Sequence, residues 1–398
     1  MKKSVLLFAL LTLFFAQGNA QNIVSAEFHH HRRSLKNSFL KFQNEKEGRV
    51  VFLGGSITHN PGWRDSVMNA LQSKFPETSF DFINAGIPSM GSTPGAFRFR
   101  RDVLKNGPVD LLFVEAAVND ATNQRNPNEI IRGMEGIVRH AFKANATTDI
   151  VMMHFVDPAK MEMYRKNEIP EVLQLHEKVA NHYQIPTINL AKEVTSRIDA
   201  GEFDWKNDFV NLHPSPFGQN IYFQSIKSYL EKEWATDFSN KKITKVEIPK
   251  PVDSYSYGRG YLVEPNPPGT INGWEMVENW RPADGASTRE NYTNVSMLIG
   301  TYPGQIIKFP FKGNAVGIAV AAGPDAGIIE YSVDGAAWQQ LDLFTKWSKN
   351  LHLPWYYTLA SGLKNRKHML QMRMADENNR KSKGNICRLR YFYFNGAE

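Results

Sequence analysis

The chain has 398 residues, 47 Lys and Arg against 40 Asp and Glu, a formal charge of +7 and one cysteine. That length accommodates two packed domains. The single Cys387 excludes a disulfide framework and a Cys-ligated zinc site, and the mild basic excess is too dispersed to mark a nucleic-acid-binding protein.

In chain order, residues 1–20 carry Lys2 and Lys3, an apolar run at 5–16 and a small-residue end at Gly18, Asn19 and Ala20. This is the pattern of a signal peptide, too short to span a bilayer, and no later run is apolar enough. The expected product is soluble, secreted or periplasmic, without stable membrane insertion. Residues 21–47 form a lead-in segment with a helix over 34–42. His29, His30 and His31 are adjacent and cannot all face one ion, so they read as a disordered or edge segment. No metal or cofactor is expected.

From 48 to 240, apolar runs at 50–53, 80–84, 111–115, 150–154 and 187–190 alternate with helix-like stretches at 63–75, 96–104, 128–144, 169–183 and 216–233. That alternation predicts an α/β fold with three layers, α/β/α. The cluster Arg98, Arg100 and Arg101 falls on one of these helices and reads as a solvated or carboxylate-paired face. From 241 to 398 the chain becomes rich in Gly, Pro, Asn and aromatic residues. Strand-like pieces at 305–311, 315–321, 327–332, 368–374 and 388–394 are separated by turn signals such as Gly323-Pro324-Asp325 and Asp334-Gly335, which predicts an all-β sandwich of jelly-roll-like kind. The dense aromatic segment 347–357, with His352, Trp355, Tyr356 and Tyr357, reads either as a core or interdomain seam or as a glycan-binding surface.

Chemistry-bearing residues gather at the strand ends, where ligands bind in open α/β sheets. The strand at 50–53 runs into Gly54 and Gly55, a turn that presents Ser56. The alternative is that Ser56 or Thr58 only caps the following helix. After 80–84 comes a loop from Asn84 to Ser92 containing Gly91; after 111–115 comes Asn119; before the last helix comes His213. Serine, backbone N–H groups, an amide and an imidazole are the parts of an acyl-transfer site. The imidazole accepts the serine proton and returns it to the leaving alkoxide, while the donors meet the charge on the carbonyl oxygen. Each residue also has a plain structural reading, as turn glycine, loop amide or surface histidine. His59 reads as an exposed cap or a substrate contact. Trp63 and Arg64 read as packing or pocket-mouth residues, and Glu115 and Asp120 as buried hydrogen-bonding partners for the loops around Ser56.

Gly54-Gly55-Ser56-Ile57-Thr58, the Asn84 to Ser92 loop, Val118-Asn119-Asp120 and His213-Pro214 together resemble the four blocks of the SGNH (GDSL-like) hydrolase superfamily, in its secreted bacterial carbohydrate esterase branch. The resemblance covers about 48–232. It implies a flavodoxin-like α/β/α domain that hydrolyses esters without a metal, with Ser56 as nucleophile, Gly91 and Asn119 as oxyanion donors and His213 as base. The family places an aspartate three residues before its histidine, where this chain has Val210; Asp208, two residues earlier, is the candidate orienter, and otherwise the site is a Ser-His dyad. The resemblance implies removal of small acyl groups, acetyl above all, from polysaccharide or oligosaccharide. The rivals are a lipase or thioesterase on longer acyl chains and a glycan-binding protein on a degenerate hydrolase scaffold.

Overall fold

The computed structural model of the chain describes residues 23–238, 240–266 and 271–396. The signal-peptide segment lies outside the described residues. Among the described residues no helix is long and apolar enough to cross a membrane.

The first sheet has six strands in the order β1 (His29–His30), β6 (Thr187–Ile188), β5 (Asp149–Met153), β4 (Leu111–Val114), β2 (Glu47–Gly54) and β3 (Ser79–Gly86). All neighbours are parallel except β1, which pairs antiparallel with β6. The parallel strands run in the flavodoxin order, whose reversal point lies at β2. The β4 and β5 side chains are buried on both faces, as helices on both sides require. On one side a cluster joins Val51, Leu53, Leu112 and Val114 to the helices α4 (Ser92–Asp102) and α6 (Pro127–Ala144). On the other, Val50, Phe52, Leu111 and Phe113 meet α3 (Trp63–Lys74) and α10 (Pro216–Glu233). The even and odd residues of a strand thus feed different cores. Trp63 is fully buried against Phe52, Phe113 and Phe155, which makes it a packing residue.

In the arginine cluster on α4, Arg98 and Arg101 pair with Asp102, and Arg100 lies over the Tyr261 ring. Arg98, 1% exposed, bonds Asp102 at 3.0 Å and donates to Ala85 O at 2.7 Å and Gly54 O at 3.4 Å, which ties together the ends of β2 and β3. This helix starts a turn earlier than the expected 96, because Pro94 sits in the first turn, where its missing N–H costs nothing.

The second sheet is nine-stranded and antiparallel apart from its shortest strand: β13 (Gln339–Asp342), β12 (Ile328–Val333), β14 (Leu351–Met374), β11 (Ile307–Ala322), β15 (Cys387–Asn395), β10 (Val295–Gly300) and β8 (Trp274–Trp280) in order, with β7 (Gly260–Val263) on β15 and β9 (Ser287–Thr288) parallel on β14. It encloses its own apolar core, as a β-sandwich does, but its strands are joined in one hydrogen-bonded path. The expected strands at 305–311 and 315–321 are a single strand, because Gly313 and Ala315 mark a register shift and no turn intervenes. Likewise 368–374 is the end of the 24-residue β14, which begins in the aromatic segment.

Alternation along β11 explains how the two sheets join. Val316, Ile318 and Val320 enter the β core, while the small Ala315, Ala319 and Ala321 lie in the cluster shared with α4 and α6. Phe97 of α4 packs on Tyr393 with centroids 4.3 Å apart. Arg125 donates to Tyr356 O at 2.8 Å, and Thr358 Oγ1 donates to Glu129 at 2.6 Å. The aromatic segment is therefore divided: Tyr356 is buried in the seam, Tyr357 donates to Leu343 O at 3.2 Å, and Trp347 is exposed.

Candidate active site

Strand β2 ends in Gly54, and the chain turns at Gly55 into the single-turn helix α2 (Ser56–His59), with Ser56 half-buried at its start. Gly55 is glycine because a Cβ there would lie 1.9 Å from Asn119 Oδ1. Asn119 belongs to α5 (Ala117–Thr122), the short helix after β4, so this contact draws two strand ends together. His59 Nδ1 faces Gly86 O at 3.1 Å, and Arg64 Nε donates to Thr58 O at 3.2 Å; both brace the turn.

The loop after β3 brings Gly91 alongside. Its neighbour Ser92 donates its N–H to Asp120 Oδ1 at 2.8 Å, and a Cβ on Gly91 would come 2.1 Å from that same oxygen. The glycine thus serves close approach to a carboxylate, with an extended φ of −95°. Asp120 has no exposed surface and is held by His176 Nε2 at 3.0 Å. Ser89, at φ +71°, has its carbonyl clamped by Asn123 Nδ2 at 2.9 Å. Glu115 accepts the Val118 N–H at 3.0 Å, and burial pushes its carboxyl up to about 7, against the pull of that N–H and of Lys160. Among the described residues, neither Ser56 N–H nor Gly91 N–H is taken by a carbonyl, so both remain free to meet a ligand.

His213 comes from the segment before α10, whose Ser215 cap accepts Gly218 N–H and whose Pro216 opens the helix. Its ring places Nε2 2.7 Å from Ser56 Oγ, across 157 residues of sequence. Partial burial, then the positive charge of Arg289, lowers its pKa from 6.5.

Asp208 does not reach this imidazole. Residues Trp205–Phe209 form a π-helical turn in which Trp205 stacks on the buried Phe209, and Asp208 Oδ2 accepts the Asp204 N–H at 2.7 Å. Val210 leaves the turn at φ +81°, a strained conformation for a β-branched residue, and its side chain is exposed. Among the described residues no carboxylate bonds or pairs with His213; its own N–H donates to Asn211 Oδ1 at 2.7 Å. The expected triad acid is corrected to a turn-closing residue. Asn123 and Arg289 carried no sequence signal: they stand outside the four blocks, and Asn123 bonds a carbonyl 34 residues away.

Residues 52–221 match the model of the GDSL-like Lipase/Acylhydrolase family. No curated protein matches the chain in sequence. Among solved structures, a two-domain esterase (CEX) active on acetylated mannans, co-crystallised with mannopentaose, gives a TM-score of 0.74 at 19% identity over 92% of this chain and 96% of its own. A second structure of that esterase gives the same score, over 97% of its own length. Axe2, an acetylxylan esterase from Geobacillus stearothermophilus, covers 49% of this chain at 17% identity with a TM-score of 0.38. The first likeness shares the fold across both the α/β and the β parts. The family match falls on the segment that carries Ser56 and His213, so residues 52–221 are similar to the GDSL-like lipases and acylhydrolases, and the chain is a carboxylic ester hydrolase.

Proposed function

We propose that this chain is a secreted serine esterase that removes acetyl groups from polysaccharide or oligosaccharide through a Ser56-His213 dyad. The observation that carries the reading is the 2.7 Å approach of Ser56 Oγ to His213 Nε2. In the neutral ring Nε2 is the acceptor and Nδ1 bears the proton. As Ser56 Oγ attacks the acyl carbonyl, its proton passes to Nε2, and the carbonyl oxygen collects charge opposite the free N–H groups of Ser56 and Gly91 and the Asn119 amide. The imidazolium then protonates the departing sugar oxygen. Water, deprotonated by the same nitrogen, releases acetate from Ser56. Without an acid behind Nδ1 the imidazolium is less stabilised, and the donors carry more of the rate enhancement.

The acetylated-glycan substrate is supported by the two-domain fold shared with an esterase active on acetylated mannans. Export is supported by the composition of residues 1–20. The test is hydrolysis of p-nitrophenyl acetate and release of acetate from acetylated mannan oligosaccharides by the mature protein and by Ser56→Ala. The variant should be slower by on the order of 10³ or more on both. Equal rates would remove Ser56 from the chemistry.

A further inference from the structure

Arg289 lies in the β part, between β9 and the turn Glu290–Tyr292. Its backbone is fixed on both sides. Thr288 Oγ1 donates to His352 O at 2.9 Å, and Tyr292 N–H donates to Arg289 O at 2.8 Å. Tyr292 has no exposed surface and shares a cluster with Ile87 and Met90 of the loop that carries Gly91. Arg289 is therefore seated at the seam between the two parts, close enough to His213 for its charge to act on the imidazole.

Its side chain is half-buried, and its Nε is sealed from solvent with no acceptor. Among the described residues no carboxylate pairs with it, whereas the seam arginines Arg125 and Arg132 have Glu129 and Asp253. A partly desolvated guanidinium without acceptors costs stability unless something else supplies them. Its planar fork of donors suits oxygen atoms of a ligand.

Resting on the Ser56-His213 reading, we propose that Arg289 is a substrate-contacting residue contributed by the β part, donating hydrogen bonds to an oxygen of the sugar that bears the acyl group, on the His213 side of Ser56. The β part then takes part in glycan recognition at the reacting centre, and simple esters, which lack the sugar, gain nothing from this contact. The charge has a second effect. Arg289 is the charged group that acts on His213, since Asp208 is turned to Asp204, and it disfavours the imidazolium.

The experiment compares wild type, Arg289→Met and Arg289→Lys on p-nitrophenyl acetate and on acetylated mannan oligosaccharides, with melting temperatures recorded for each. Arg289→Met keeps the apolar stem and should lose about 10- to 100-fold in kcat/KM on the oligosaccharides at about pH 8, while p-nitrophenyl acetate stays within about threefold. The acid limb of its pH profile should move to higher pH on both substrates. Arg289→Lys should restore the limb without restoring the oligosaccharide rate. Equal losses on both substrates, or no loss on either, overturns the proposal, as does a wild type that deacetylates no oligosaccharide. Ser56→Ala run beside them separates the two readings: full activity there sinks the serine mechanism itself, while its loss together with an unaffected Arg289→Met sinks only the role of Arg289.

Discussion

Replacing Asp208 by alanine separates a dyad from a triad. Asp208 accepts one N–H, that of Asp204, at 2.7 Å in an exposed turn. Losing that bond to water costs at most about 0.5–1.5 kcal/mol. The turn keeps its backbone bonds from Phe209 N–H to Asp204 O at 3.0 Å and from Val210 N–H to Trp205 O at 2.7 Å, and it keeps the Trp205-Phe209 stack. His213 should therefore stay where it is, and kcat on p-nitrophenyl acetate should remain within about threefold of wild type. Were Asp208 instead the group that orients His213, its removal would lower kcat by on the order of 10⁴. Stopped-flow or steady-state kcat, with circular dichroism to verify folding, distinguishes these outcomes by more than three decades. A folded variant that loses about 10³-fold or more would refute the assignment of Asp208 to the turn.

Gly91→Ala forces a Cβ to 2.1 Å from Asp120 Oδ1, an atom held in place by Ser92 N–H and with no exposed room to move. Stability should fall by about 1–3 kcal/mol and kcat by about 10² to 10³ as the donor shifts; a wild-type kcat would contradict a donor that the added methyl displaces. Because His213 must be neutral to act and its pKa is held below 6.5 by burial and Arg289, the acid limb of kcat/KM should have its midpoint below pH 6.5, and a midpoint above that value would contradict the charge environment described. Glu115 has a folded pKa of about 7 against an ordinary 4.5, so the folded state binds the extra proton: its contribution is full below pH 4.5 and is lost as pH rises through 7, to a total of about 3 kcal/mol. Glu115→Gln keeps the acceptor for Val118 N–H and should flatten that slope, gaining on wild type in chemical denaturation at about pH 8 relative to pH 4.5; a difference that does not change with pH would count against a raised Glu115.

The parallel sheet was legible because buried strands and amphipathic helices carry their own periodicity, and each strand expected between 50 and 190 is present within a few residues. What escaped the pattern was short or weakly periodic. The helices α7 (Pro158–Arg165) and α9 (Leu190–Asp199) follow their strands closely, and their capping residues Asp157 and Asn189 were the only local signal. The strands β7, β8 and β10 were missed because Gly, Asn and Trp dilute the alternation on a sheet whose two faces meet different cores. Ser56, Gly91, Asn119 and His213 were singled out from the sequence because each lies within a few residues of a strand end or a helix start. The misreading of Asp208 has a local cause: five residues of π turn reverse its direction, and a two-residue offset from Val210 carries no information about that reversal. Arg289 was invisible, since no local pattern announces the seam into which the neighbouring Tyr292 packs.

In the proposed reaction one serine is the nucleophile and one histidine its base. Treating the mature protein with phenylmethylsulfonyl fluoride and mapping the adduct by peptide mass spectrometry tests it directly. A single sulfonylated residue, Ser56, is expected, with loss of activity in proportion to labelling and no labelling in His213→Ala. Modification of a different serine, or full labelling of Ser56 with hydrolysis undiminished, would contradict it.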